Sequence, residues 1–168
     1  ANAPSGVAQI FVAADGENSI GVASGANACL MPKHVSAAAD LVSSAAVVVL
    51  QLETPLETVC EAARAGQAAG CAVILNPAPA QELPENLYPL LSLITPNESE
   101  AELLTGIAVT DSATATEAAA VLHERGVATV LITRGSAGVF LSQKSDDADI
   151  STADFPAFAV TAVDTTAA

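Results

Sequence analysis

Positive charge is scarce in this sequence. Five Lys and Arg stand against 19 Asp and Glu, a formal net charge of −14 over 168 residues. Nucleic-acid binding sets cations opposite phosphates, so this balance argues against it. The acidity reads as a solubilising surface. Apolar runs stop short of the ~18 residues that a membrane-spanning helix needs, and none is expected. The opening Ala1-Asn-Ala-Pro-Ser-Gly6 has no Met, no basic patch and no apolar signal core. No targeting segment is visible there, and the missing Met suggests a start inside a longer protein. Cysteines are few and odd in number: Cys29, Cys60 and Cys71, with no Cys-x-x-Cys pair. Free thiols in a reducing cytoplasm are the simpler reading. Cys60 and Cys71 sit among Ala and Val, as small buried hydrophobes do. The two histidines, His34 and His123, lie far apart in helix-like stretches and read as surface or helix-end residues.

Several chemical signatures are also missing. There is no Gly-Lys-Ser/Thr phosphate loop and no Gly-x-Gly-x-x-Gly fingerprint, so a nucleotide would need another architecture. There is no Gly-x-Ser-x-Gly elbow, which leaves acyl hydrolysis unsupported. No internal repeat and no low-complexity block stands out beyond a general richness in alanine.

What is present alternates in a regular way. Residues 7–13 and 19–23 read as two β segments around turn chemistry at Asp15-Gly-Glu-Asn18. Pro32 can open a helix running towards Ser44. The apolar run Ala46–Leu52 reads as a strand buried on both faces. A helix from Pro55 to Ala69, closed by Gly70, precedes a strand at Ala72–Leu75. Leu93–Thr95 is the next strand. Helices follow at Glu98–Thr105, closed by Gly106, and at Thr114–Arg125, closed by Gly126. Thr129–Thr133 is a fourth strand; Gly138–Leu141 and Phe158–Val163 read as later ones, with Lys144–Asp149 as a solvent turn. Parallel strands need crossovers, and helices supply them. The expected fold is α/β: an open, doubly wound, mostly parallel sheet with helices on both faces, behind a small β pair.

Ligands of such sheets bind beyond the carboxyl ends of the strands. Polar residues stand at those ends: Glu53, Asn76, Asn97 and Glu100, then Thr133-Arg-Gly-Ser-Ala-Gly138, then Asp164-Thr-Thr-Ala-Ala168. Each has an ordinary alternative. Asn97 can cap the helix it precedes, and Glu100 suits a helix N-terminus. Gly135 and Gly138 permit close backbone approach to a ligand, but hairpins use glycine too.

In order along the chain, Gln51-Leu-Glu-Thr-Pro-Leu-Glu57, Asn76-Pro-Ala-Pro-Ala80, Ile94-Thr-Pro-Asn-Glu-Ser-Glu100, Leu103-Leu-Thr-Gly106 and Val163-Asp-Thr-Thr-Ala-Ala168 resemble segments of the ribokinase-like carbohydrate kinases. The Asn-Pro-Ala-Pro-Ala segment resembles the ribose kinases of that family most. The resemblance implies ATP-dependent phosphorylation of the 5-hydroxyl of D-ribose, with Mg²⁺ and a K⁺ activator. It implies that Asn97 and Glu100 organise Mg²⁺ through water and the phosphates. Thr133, Gly135, Ser136 and Gly138 match a nucleotide-contacting loop, and Glu53 a position near the sugar. Ala8, Ile10 and Val22 match apolar sugar contacts of a lid, residues 1–25, that often pairs two subunits. Residues 26–168 match the kinase domain. Asp164 and Thr166 match a monovalent-cation loop, and Ala167 and Ala168 the start of an anion hole. In the family the last motif continues with Gly and the catalytic Asp, so this chain is expected to lack the base, part of the sugar grip and activity of its own. A related sugar or nucleoside kinase, or a non-catalytic sugar-binding remnant, is the alternative.

Overall fold

The computed structural model describes residues 3–12, 18–145 and 147–159. Strands β1 (Val7–Val12) and β2 (Asn18–Ala23) form an antiparallel pair of their own, in the register Ala8↔Val22 and Ile10↔Ile20. The remaining strands build one six-stranded sheet in chain order: β3 (Val47–Leu50), β4 (Ala72–Leu75), β5 (Leu93–Ile94), β6 (Thr129–Thr133), β7 (Val139–Lys144) and β8 (Ile150–Phe155). Strands β3 to β6 are parallel; β7 and β8 return antiparallel. A mostly parallel α/β sheet is therefore present, as expected.

Register makes the two faces of this sheet unequal. Val73, Leu75, Ile94, Val130, Ile132, Phe140 and Ser142 share one face and are all buried. Helices α3 (Leu56–Ala68), α4 (Glu98–Thr105) and α5 (Ser112–Glu124) cover it. Helix α3 comes so close that a Cβ on Gly66 would lie 3.1 Å from both Val48 and Val73, which is why glycine stands there. Helix α5 presents Ala115, Ala118 and Ala119, fully buried, so small side chains again set a short helix–sheet distance. The other face carries Val47, Val49 and Phe155, and Val49 is 70% exposed. No described helix lies on it. Strand β3 is thus half-buried rather than buried on both faces, because it stands at the edge of a sheet covered from one side.

Other expectations shift in smaller ways. The helix from Pro32 to Ser44 is two pieces, α1 (Pro32–Ala37) and α2 (Ala39–Ser43), separated at Ala38 with φ −103° and ψ 18°. Neither piece fully buries a residue, so little packing enforces one straight helix. The last strand among the described residues lies at Ile150–Phe155, where none was expected. Phe158 and Ala159 are outside any strand, and 160–163 lie outside the described residues. Every position of β8 is exposed; pairing with β7, not an apolar pattern, creates it. His123 is buried in the last turn of α5, with Nδ1 2.8 Å from the Val127 carbonyl and Nε2 2.9 Å from Ser142 Oγ. Both ring nitrogens are satisfied, which makes it a tie between helix and sheet. Cys71 is buried, Cys60 half-buried and Cys29 exposed, all as free thiols; burial pushes the Cys60 thiol up from its ordinary value. No helix among the described residues is long and apolar enough to cross a membrane.

Helix α5 starts two residues before the expected Thr114 because Asp111 caps it. Asp111 Oδ1 accepts from the Thr114 N–H at 2.8 Å and from its hydroxyl at 2.9 Å, while Thr114 Oγ1 accepts from the Asp111 N–H at 3.0 Å. The Thr114 N–H, then its hydroxyl, hold the Asp111 carboxyl below its ordinary value of 3.8. A depressed folded-state value means the cap stabilises at neutral pH and fades as pH falls through and below that ordinary value. Asp111→Ala should therefore lower the urea midpoint at pH 7, with the difference from wild type shrinking towards zero at strongly acid pH. An unchanged difference across that range would show that the carboxylate is not the stabilising group.

Candidate functional site along the strand ends

Parallel strands send their carboxyl ends to one edge, and the backbone continues the ladder beyond each of them. The Asn76 N–H donates to the Leu50 carbonyl at 2.9 Å, Thr95 N–H to Leu75 at 2.9 Å, and Thr133 N–H to Pro96 at 2.9 Å. Leu52 N–H reaches the Ala78 carbonyl at 2.8 Å. Asn97 and Thr133 form an isolated parallel bridge. Segments far apart in sequence are thus locked beside one another by main-chain hydrogen bonds.

Two clefts open along this edge. The first, about 460 Å³, lies between the hairpin and the ends of β3 and β4; Ile20, Val22, Asn27, Leu52, Glu53 and Pro79 line it. Val22 and Glu53, far apart in the chain, are brought together here. Ala8 and Ile10 share with Val22 one face of the hairpin but do not line the cleft. The Glu53 side chain is exposed, and its backbone N–H is held by Gln51 Oε1 at 2.6 Å.

The second cleft, about 980 Å³, lies at the ends of β5 and β6. Asn97, Thr133, Gly135 and Gly138 line it, together with Phe155 and Phe158 from the chain after β8. Sequence reading missed this aromatic wall. Phe158 is 93% exposed, an apolar ring left in solvent at the mouth of the cleft. The loop between β6 and β7 is a tight 3-10 turn, Gly135–Ala137, closed by Arg134 N–H on the Gly138 carbonyl at 2.8 Å. Ser136 is exposed on that turn but does not line the cleft. Gly138 has φ 86°, and a Cβ on it would fall 2.0 Å from the Phe155 carbonyl oxygen. Glycine is required there because the loop and the end of β8 touch backbone to backbone.

Asn97 and Glu100 are joined in a capping box at the start of α4. Asn97 Oδ1 accepts from the Glu100 N–H at 2.8 Å and from Ser99 Oγ at 2.8 Å; Glu100 Oε2 accepts from the Asn97 N–H at 2.9 Å. Glu100 is buried and does not line the cleft. The ordinary capping role is thus occupied, and it coexists with a place beside the cleft: Asn97 lines it, and Glu100 is tied to Asn97 behind it. Among the described residues no group of three or more His, Cys, Asp or Glu could hold a metal directly. Among the described residues only Oε2 of Glu100 accepts a protein hydrogen bond, so this donor set suits a cation that keeps its own waters. Asp164, Thr166, Ala167 and Ala168 lie outside the described residues.

The whole chain, residues 1–168, matches the family model for pfkB family carbohydrate kinases. A ribokinase of Haemophilus influenzae is 46% identical over 163 residues, covering 97% of this chain and 52% of that protein. A ribokinase of Staphylococcus aureus is 42% identical over 168 residues, covering 100% of this chain and 54% of that protein. The solved structure of an Arabidopsis thaliana ribokinase complexed with ribose and ATP superimposes with a TM-score of 0.77 at 30% identity, over 91% of this chain and 49% of that one. The chain spans about half the length of the curated relatives it matches. The edge geometry and these likenesses agree: the chain belongs to the pfkB family of carbohydrate kinases.

Proposed function

We propose that the whole protein containing this chain transfers the γ-phosphoryl group of ATP to the 5-hydroxyl of D-ribose. The observation that carries this reading is the pair of clefts on neighbouring strand ends, one roofed by an apolar hairpin and one floored by a glycine turn. Strands β4 and β5 are direct neighbours at roughly 4.8 Å spacing, so occupants of the two clefts would lie side by side. Phosphoryl transfer asks little covalent chemistry of a protein; it needs positioning and charge stabilisation. The likeness to ribokinases, one of them solved with ribose and ATP, supports both substrates.

In this reading the sugar occupies the first cleft. The Glu53 carboxylate accepts hydrogen bonds from its hydroxyls, and the hairpin face that carries Val22, with Ala8 and Ile10 on the neighbouring strand, closes over it as a lid and excludes water, the competing acceptor. The nucleotide occupies the second cleft. There Thr133, Gly135 and Gly138 bring the backbone close, with Ser136 exposed on the same turn, and the aromatic wall takes the base. Asn97 and Glu100 hold the waters of a Mg²⁺ ion, which offsets phosphate charge when bound. The role of an anion hole for the transferring group is assigned to Ala167 and Ala168, and that of binding a K⁺ ion to Asp164 and Thr166. The acceptor's proton is assigned to no residue of this chain. Residues 1–25 act as a lid over the domain that begins at 26, and the hairpin's outer apolar face, with Val7 and Phe11 exposed, suits pairing of two lids in a homodimer. The protein works in the cytoplasm.

Two outcomes test this. The purified whole protein, assayed with ATP and a panel of ribose, deoxyribose, fructose and nucleosides, should phosphorylate ribose best and faster when K⁺ is added. Absence of any sugar-dependent ADP release would contradict the kinase reading, and indifference to monovalent cations would remove the role given to Asp164. Gly138→Ala, which forces a Cβ into the Phe155 carbonyl, should raise the KM for ATP by about tenfold or more, a loss of ~1.4 kcal/mol in nucleotide binding. An unchanged KM for ATP in a folded variant would mean that the nucleotide does not use this loop.

A further inference from the structure

We propose that Arg134 is a positioning residue for the nucleotide, setting the gap between the Gly135–Gly138 turn and the aromatic wall of the second cleft; this rests on the nucleotide reading of that cleft. Arg134 stands between two residues that line the cleft, Thr133 and Gly135, yet its own side chain is only 8% exposed and does not line it. Nη1 donates to Ser112 Oγ at 3.0 Å, at the first residue of α5. Nη2 pairs with the Asp154 carboxylate in β8. The guanidinium carbon lies 5.8 Å from the centre of the Phe140 ring in β7. The backbone N–H of the same residue closes the turn on Gly138. One side chain therefore ties the turn to α5, β7 and β8 together.

The placement of Asp154 gives this bracket its consequence. Asp154 immediately precedes Phe155, where the wall of the cleft begins. Gly138 touches the Phe155 carbonyl from the other side. The wall is thus held to the turn twice, by the ion pair and by backbone contact. A purely stabilising contact here would be served by an apolar side chain, because taking a guanidinium out of water is costly. This one even leaves Nε–H buried without a partner among the described residues. What a planar fork adds is direction: two partners at fixed angles, and so one orientation of β8 against the turn. A base inserted between turn and wall needs that gap preset.

The test uses the whole protein, with steady-state kinetics in ATP and ribose and calorimetric ATP binding. Arg134→Met should raise both the KM and the Kd for ATP about tenfold while kcat and the sugar KM stay within about twofold, tenfold being ~1.4 kcal/mol. Asp154→Asn should act in the same direction. The double variant should be little worse than the worse single, since both break one contact. Arg134→Lys, which keeps the charge but not the fork, should fall between. Arg64→Met removes an exposed ion pair on α3 and should leave every constant unchanged. If Arg134→Met does not fold, Asp154→Asn carries the test, because it keeps the guanidinium in place. A lowered melting temperature with unchanged ATP constants would overturn the proposal, as would equal shifts in the constants for ATP and sugar. A wild type that neither phosphorylates a sugar nor binds ATP would remove the kinase reading itself, and this inference with it.

Discussion

Parallel register is the constraint from which the rest of the structure follows. Strands β3 to β6 run the same way, so their carboxyl ends arrive at one edge whatever the connections between them contain. Main-chain bonds past the ends, from Asn76 to Leu50 and from Thr133 to Pro96, then hold the emerging loops in fixed order. The candidate site is built by this backbone lattice, and its side chains are guests of it. The chemistry is therefore sensitive to residues that shape backbone paths, such as Gly138, at least as much as to those with charged heads.

The same edge shows how one group serves two purposes. Asn97 and Glu100 cap α4 through paired hydrogen bonds to each other's N–H groups. That cap fixes both side chains beside the cleft, at the positive end of a helix, where phosphate charge is favoured. A capping box alone would be an unremarkable structural device. Its position next to Thr133 and the glycine turn makes it part of a site. The buried face of the sheet supports this edge from below: His123 ties α5 to Ser142, and the small residues Gly66, Ala118 and Ala119 let helices sit close. The opposite face leaves Val47 and Val49 exposed, while its Phe155 belongs to the wall of the second cleft.

Much of this was legible in the sequence where one local rule acted alone. Strands β4 and β6 and helix α4 fall at their expected bounds, since apolar β-branched runs and an Asn–Gly pair of helix punctuation mark them without competition. The gathering of Val22 with Glu53, and of Asn97 with Thr133, Gly135 and Gly138, followed from the strand-end rule and the family likeness. What escaped depended on tertiary partners. Strand β8 has no apolar alternation because both its faces are exposed, and only its pairing with β7 defines it. The start of α5 hid in a polar stretch that Asp111 organises through Thr114. Arg134 carried no role of its own within the run Thr133–Gly138, because nothing near it in sequence announces Ser112 or Asp154. In the aromatic wall, Phe158 was read as the start of a strand and Phe155 was given no role, since apolar residues carry the same signature in either setting.

The central claim is spatial: two ligands occupy two adjacent clefts at one sheet edge. Amide chemical shifts of the isotope-labelled whole protein, titrated separately with ribose and with a non-hydrolysable ATP analogue, measure it most directly. The account predicts that ribose moves the amides of residues 20–24 and Glu53, and that the nucleotide moves those of Asn97 and residues 133–138. Shifts confined to the exposed sheet face around Val47 and Val49, or both ligands perturbing one and the same cleft, would contradict it.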